Sequence, residues 1–287
     1  MLKIVTDSAA DLTPEEIGSL GIAVAPLLIQ FSDGTINSED ISRDDFYARL
    51  KAIWPDIPTT SLPSPSIFMD IYRGLFAQGH SILSVHISSG LSNTLDAAKL
   101  GGKALLEEQV TFVDTETLSG GQRYQVLAAA MAARAGRSKE FILERLKLIR
   151  QATETIYTLE TMEYLAKGGR IGRVQALAGI LLNIKPVIHV DPKDGKYSTL
   201  GKERTIPRAL QAIGAHLAKK YGDTKVWVSV MHGQSPDYAD SLAQLLQEML
   251  NISKLEILRI SPVLGVHTGP GIIGAAVVPI ALMENLE

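Results

Sequence analysis

The 287-residue chain contains no cysteine. That absence excludes disulfides, thiol catalysis and cysteine-ligated zinc, and it suits a reducing compartment. Charge of one sign is not in large excess. The formal net charge is −3, so no basic field points to nucleic acid or to an anionic membrane. No apolar stretch reaches the roughly 18 residues of a membrane-spanning helix. The opening, MLKIVTDSAADL, arrives at Asp7 after a short apolar run, unlike a signal peptide or an anchor. The expected setting is the cytoplasm of a bacterial cell, with no membrane insertion. Metal spacing is lacking too. The six histidines are scattered, with no H-x-H or H-E-x-x-H pair, so no metal is expected. His80, His86, His189, His216 and His232 read as structural or surface residues.

Three nucleotide or nucleophile look-alikes fail on context. Residues 269–274, GPGIIG, fit G-x-G-x-x-G, but a β-branched run follows where a helix is required, and no acidic residue lies about 20 positions on. GGKAL at 101–105 lacks the hydroxyl after Lys103 and the earlier glycine of a phosphate loop. GLSNT at 90–94 has Asn93 and Thr94 where a nucleophile elbow needs its second glycine. The chain therefore shows no nucleotide site of its own, and no cofactor is expected.

What is present is a rhythm. Apolar runs at 2–5, 22–31, 81–88 and 110–115 read as strands. Between them lie helical patterns: one capped by Thr13, Pro14 and Glu16, one opened by Ser42, one from about Leu91, and two over 119–134 and 139–151. This alternation predicts an α/β half, residues 1–153, with a mostly parallel sheet and helices on both faces. From residue 154 to 287 the pattern is α+β. An Asp-Gly turn at 194–195 marks a hairpin inside a mixed or antiparallel sheet, and helices are expected from Ile206 and from a cap at Ser235. No linker separates the halves, so a cleft between packed domains is expected.

Four polar clusters remain. They are Asp7-Ser8, the proline-bearing segment TTSLPSPS at 59–66, ISSGLSNT at 87–94, and GVHTGPG at 265–271. Ligands of open α/β sheets sit beyond the carboxyl ends of the strands. The first and third clusters fall on that edge. The prolines make 59–66 an extended loop. Ser88 or Ser89 reads as the cap of the following helix, and the free N–H groups near Ser92 and Asn93 also suit an anion. The residues leave both readings open.

Taken together and in order, IVTDSAADL, TSLPS (60–64), ISSGLSNT, AKGGRIG (166–172), LLNIKPVI (181–188) and GVHTGPG resemble the DegV family across nearly the whole chain. The resemblance implies a DegV-like fold and a protein that binds a long-chain fatty acid. It further implies that this protein presents the carboxylate to a separate ATP-binding fatty acid kinase, making an acyl-phosphate for phospholipid synthesis. It assigns the carboxylate to Thr60 and Ser92, with the backbone of Asn93 and with His267 close by. Ser61, Thr268 and Arg204 are implied near the site, and Arg170 and Arg173 are read as facing the partner. Asn93 replaces the usual glycine and Leu62 a frequent glutamine. If position 93 needs positive φ, asparagine tolerates it. A protonated His267 would add charge beside the carboxylate. A tail of about 16 carbons supplies on the order of 12 kcal/mol before association costs, so the tail should dominate affinity and the hydroxyls should fix position. ALAGILLNI at 176–184 is a candidate tail lining. The alternative is an acyl or phospho-ester hydrolase or transferase with Ser92 as nucleophile and His267 as base.

Overall fold

Local signals set the elements. The computed structural model describes residues 1–103, 109–174 and 184–286. In it Thr13 accepts from the Glu16 N–H while Glu16 accepts from the Thr13 N–H, so α1 (Pro14–Leu20) opens on a full capping box. Ser42 and Ser138 likewise cap α2 (Arg43–Ala52) and α6 (Lys139–Ala152).

The first sheet is parallel. Its strands are β1 (Leu2–Asp7), β2 (Ala23–Ala25), β6 (Ser81–His86) and β7 (Val110–Asp114), in the order β2-β1-β6-β7. Neighbouring residues serve opposite faces. Val5 and Ile82 pack with Phe68 and Tyr72 of α3 (Pro65–Ala77) and Ala98 of α4 (Thr94–Gly102). Ile4, Leu83 and Val85 pack against α5 (Ser119–Arg134) and α6. The chain enters β1, leaves to β2 on one side and returns as β6 on the other, which opens a crevice beyond Asp7 and His86.

The second sheet is mixed. It comprises β8 (Glu154–Thr158), β9 (Lys185–Asp191), β10 (Lys196–Glu203), β11 (Val226–His232), β12 (Ile252–Arg259) and β13 (Ile273–Pro279), ordered β10-β9-β8-β13-β11-β12. β11 pairs with β12 in parallel and the other neighbours run antiparallel. The hairpin expected at the Asp-Gly turn joins β9 to β10. The helices α8 (Ile206–Tyr221) and α9 (Pro236–Met249) cover one face through Leu210, Ile213, Leu242 and Leu246. The other face looks toward the first sheet, and α5 lies between the two. Its Gly120 and Gly121 allow that approach: an added Cβ would fall 2.6 Å from the Ala276 Cβ and 2.3 Å from the Thr155 hydroxyl.

Three expectations need correction. The apolar run 22–31 is not one strand. Pro26 has no N–H for a ladder, and the chain leaves the first sheet there. The residues after it form β3 (Leu28–Phe31) of a small antiparallel sheet with β4 (Gly34–Asn37) and β5 (Thr59–Ser61). The segment 59–66 is accordingly not a loop throughout, because it opens as β5 and Pro65 already begins α3. The helix expected near Leu91 begins at Thr94, since Leu91 and Ser92 donate back to the Ser88 carbonyl in a turn. The helical spacing at Leu105 and Leu106, and all but the last residue of 176–184, lie outside the described residues. No helix among the described residues is long and apolar enough to cross a membrane.

Candidate functional site

Two of the sequence-derived residues meet directly. Strand pairing with Ile29 places Thr60 in β5. Pro262 opens α10 (Pro262–Thr268), which packs against β5 and α7 (Glu163–Lys167) and carries His267 at its end. The Thr60 Oγ1 lies 2.7 Å from the His267 Nε2, across 207 positions of chain. His267 is buried, and its Nδ1 has no hydrogen-bond partner among the described residues. Gly168 lies against that nitrogen, so close that an added Cβ would fall 2.2 Å away. Burial, with a smaller push from the Arg170 guanidinium, lowers the His267 pKa to about 4. The imidazole is therefore neutral near pH 7, and the protonated form considered from the sequence is not the one this pocket favours.

That shift has a testable consequence. His267 titrates near 6.5 when unfolded and near 4 when folded, so between those values the unfolded chain holds more protons. Stability assigned to this ring is complete above the higher value and falls as pH drops toward the lower. From pH 6.5 to pH 5 the loss is about 1.6 kcal/mol. Urea unfolding of the wild type should show this fall, and His267→Gln should lack about that much of it. Equal pH sensitivity in both would show that the ring is not buried neutral.

Ser92 makes its own local bonds. Its hydroxyl bonds the Thr94 hydroxyl at 2.8 Å and accepts from the Thr94 N–H at 3.3 Å. Asn93 has φ −83, an ordinary value that asparagine adopts as readily as other residues, so its replacement of glycine strains nothing. Ser88 does not cap the helix; its hydroxyl donates to the Gly195 carbonyl at 2.8 Å and ties the loop to the β9–β10 turn. Nor does His267 reach Ser92 as a base, since its Nε2 is engaged by Thr60. The geometry gives the hydrolase reading no nucleophile–base pair.

A second arrangement has the order acid, base, nucleophile. Asp7 Oδ2 lies 2.9 Å from His86 Nδ1, and His86 Nε2 lies 2.6 Å from the Ser84 hydroxyl. All three are fully buried, and Tyr72 closes the Ser84 end at 2.7 Å. No substrate reaches them. Their work is structural: the other bonds of Asp7, from the Ala9 and Ile87 N–H groups and the Gln122 amide, hold the strand ends that carry the crevice.

Two openings are walled in part by chain neighbours of His267 and of its contact Gly168. The first is a basic cleft with about 440 Å³ of open space, walled by Gly90, Leu91, Arg170, Arg173, Lys196 and Tyr197. Arg173 is paired with Asp194 and lies 3.9 Å from Asp191, while Arg170 donates to the Gly168 carbonyl at 2.7 Å. The second is a tight apolar slot with only about 30 Å³ of open space, lined by Leu118, Tyr157, Met231, Leu264, Ile272 and Thr268 among others. Thr268 turns its hydroxyl away, to the Leu264 carbonyl at 2.9 Å. The slot was not legible in the sequence, because its lining comes from six separate elements with no shared spacing. Ser61 is half-buried in β5, opposite Leu28. Arg204 is exposed in a different cleft, with Glu160, Lys185, Thr205, Ser235 and Tyr238.

The chain has known relatives. The DegV family model, described as an uncharacterised protein family, matches residues 1–280. A DegV domain-containing protein of Deinococcus radiodurans is 37% identical over 277 residues, 96% of this chain and 95% of its own length. The solved structure of a DegV family protein from Thermus thermophilus, described by its fatty acid binding, superposes with a TM-score of 0.90 at 31% identity, over 97% of this chain and 99% of its own. A stearic acid-binding protein from Eubacterium ventriosum superposes at 0.87 with 27% identity, over 97% and 98%.

Proposed function

This chain belongs to the DegV family, and on that premise we propose that it carries a long-chain fatty acid and presents the carboxylate to a separate kinase. The observation that carries the reading is the adjacency of two residues. His267 holds Thr60, while its neighbour Thr268 lines the apolar slot. In this reading a carboxylate at Thr60 sends its tail into that hydrocarbon-lined space.

The hydroxyls act by donating. An N–H at Nδ1 would be buried without an acceptor, at a cost of roughly 1–3 kcal/mol. The favoured tautomer carries its proton on Nε2 and donates to the Thr60 oxygen. That leaves the Thr60 hydrogen free for a carboxylate oxygen. His267 is thus a positioning residue for Thr60. Ser92 and the N–H groups that open α4 supply the second set of donors, from the other loop. The tail lies in the slot, whose walls part by rotation of flexible side chains such as Met231. In this reading residues 1–153 bring the head-group loops and residues 154–287 cover the ligand. Arg170, on the rim of the basic cleft, faces the incoming phosphates; Arg173 is held by its carboxylates and takes a lesser part. The chain needs no cofactor, works in the cytoplasm and supplies acyl groups for phospholipid synthesis, catalysis belonging to the kinase.

The test is native mass spectrometry of the chain purified gently from bacteria, followed by a coupled acyl-phosphate assay with a bacterial fatty acid kinase. The chain should carry the mass of one long-chain fatty acid. Thr60→Val and Ser92→Ala should retain lipid yet lose at least about tenfold in acyl-phosphate formation, one charged hydrogen bond each. Wild-type protein that stays lipid-free after incubation with palmitate ends the proposal. Lipid-loaded protein that no kinase accepts ends only its second half.

A further inference from the structure

Away from the cleft, beneath α8, three donors from three elements converge on one point. Glu154 opens β8, His189 lies within β9, and His216 faces them from α8. The Glu154 side chain is only 4% exposed. Its Oε1 is 2.7 Å from the His189 Nδ1, and its Oε2 is 3.6 Å from the His216 Nε2. One ligating atom from each residue lies within 4.8 Å of the other two. The His216 Nε2 is buried and has no hydrogen-bond partner among the described residues. A fourth group, the Lys220 ammonium, bonds Glu154 Oε2 at 2.5 Å and the Thr153 carbonyl at 3.3 Å.

The donor chemistry is specific. Two imidazoles and a carboxylate suit a borderline cation such as zinc, with bonds of about 2.0–2.2 Å. Such bonds in a tetrahedron set neighbouring donors about 3.3–3.5 Å apart. The observed 2.7 and 3.6 Å lie on either side of that span, and all three ligating atoms lie within 4.8 Å of one another, so side-chain adjustment completes the arrangement. Lys220 marks the place where positive charge is already favoured. Its side chain is 28% exposed, so its long stem can swing to solvent when a cation arrives. Spacing along the chain hides the site, since the three ligands are 35 and 27 positions apart in sequence order.

We propose that Glu154, His189 and His216 form a site for a divalent transition cation of the zinc class, with water in the fourth position and the Lys220 ammonium as the placeholder in its absence. Bound there, the cation clamps α8 to β8 and β9. This inference does not depend on the fatty acid reading.

The full-length chain, stripped with a chelator, is titrated with zinc chloride by calorimetry and followed by thermal unfolding. One equivalent should bind and raise the melting temperature by several degrees. Cobalt(II) in its place should give the intense visible bands of a four-coordinate centre, and magnesium should not bind. His189→Ala and His216→Ala should each weaken zinc at least about tenfold, and Lys220→Met should tighten it several-fold. No saturable zinc binding by the wild type overturns the site, whatever the variants do. So does equal zinc affinity in a folded His189→Ala/His216→Ala chain, or magnesium binding as well as zinc. Unchanged affinity in Lys220→Met overturns the placeholder role.

Discussion

Replacing Arg123 with methionine lowers folding stability by about 3–5 kcal/mol, the scale expected when one partner of a buried ion pair is removed. Arg123 projects from α5, between the two sheets, with its side chain 2% exposed. It pairs with Glu16 of α1 on one side and Glu256 of β12 on the other, and donates to the Ser229 hydroxyl at 3.3 Å. Burial alone would lower the guanidinium pKa, yet the two carboxylates raise it. Burial alone would likewise push the Glu256 carboxyl up, and the Arg123 bonds bring it below its ordinary value. Removing the guanidinium leaves two carboxylates, each 19% exposed, facing a site built for a cation. Methionine keeps most of the stem, so the loss reads the charge rather than a cavity. Urea unfolding should show the loss, and adding Glu16→Gln and Glu256→Gln should recover a large part of it. A loss below about 1 kcal/mol would place this network with exposed ion pairs, which contribute little.

This clamp also shows where sequence reading stops. The local elements were legible because their signals are local. Thr13 with Glu16, the serines at 42 and 138, and the apolar spacing of 206–221 each act within a few residues. Misreadings occurred where a distant group won. The helix near Leu91 starts three residues late because the turn at Ser88 is anchored to Gly195. The run 22–31 splits because β5, some 30 residues on, recruits its second half. The site divides in the same way. Thr60, Ser92 and His267 are visible as short motifs with a family resemblance, but the bond between Thr60 and His267 spans 207 positions and no spacing announces it. The slot and the Glu154–His189–His216 cluster carry no motif at all, because each gathers single residues from separate strands and helices.

If the chain carries a fatty acid as proposed, shortening that acid from 16 to 12 carbons should weaken binding by about two hundredfold. Each buried methylene contributes about 0.8 kcal/mol, so four contribute about 3 kcal/mol, and each 1.4 kcal/mol is tenfold. The carboxylate and its donors are the same in both ligands, so the ratio reports the slot alone. The slot is suited to that role: its lining is almost wholly side-chain hydrocarbon from Leu118, Ile156, Met231, Ile260, Leu264 and Ile272. Thr60→Val, by contrast, removes one bond to a charged group, about 1.5–3 kcal/mol at most, and should cost the two acids the same factor. Displacement of a fluorescent fatty acid, measured for both chain lengths in wild type and Thr60→Val, separates the two contributions. If the chain-length ratio is below about fivefold, the tail lies in water and the slot is ordinary core. If the ratio is large in the wild type but collapses in Thr60→Val, the head group governs entry of the tail, and the division of labour between hydroxyls and slot is wrong.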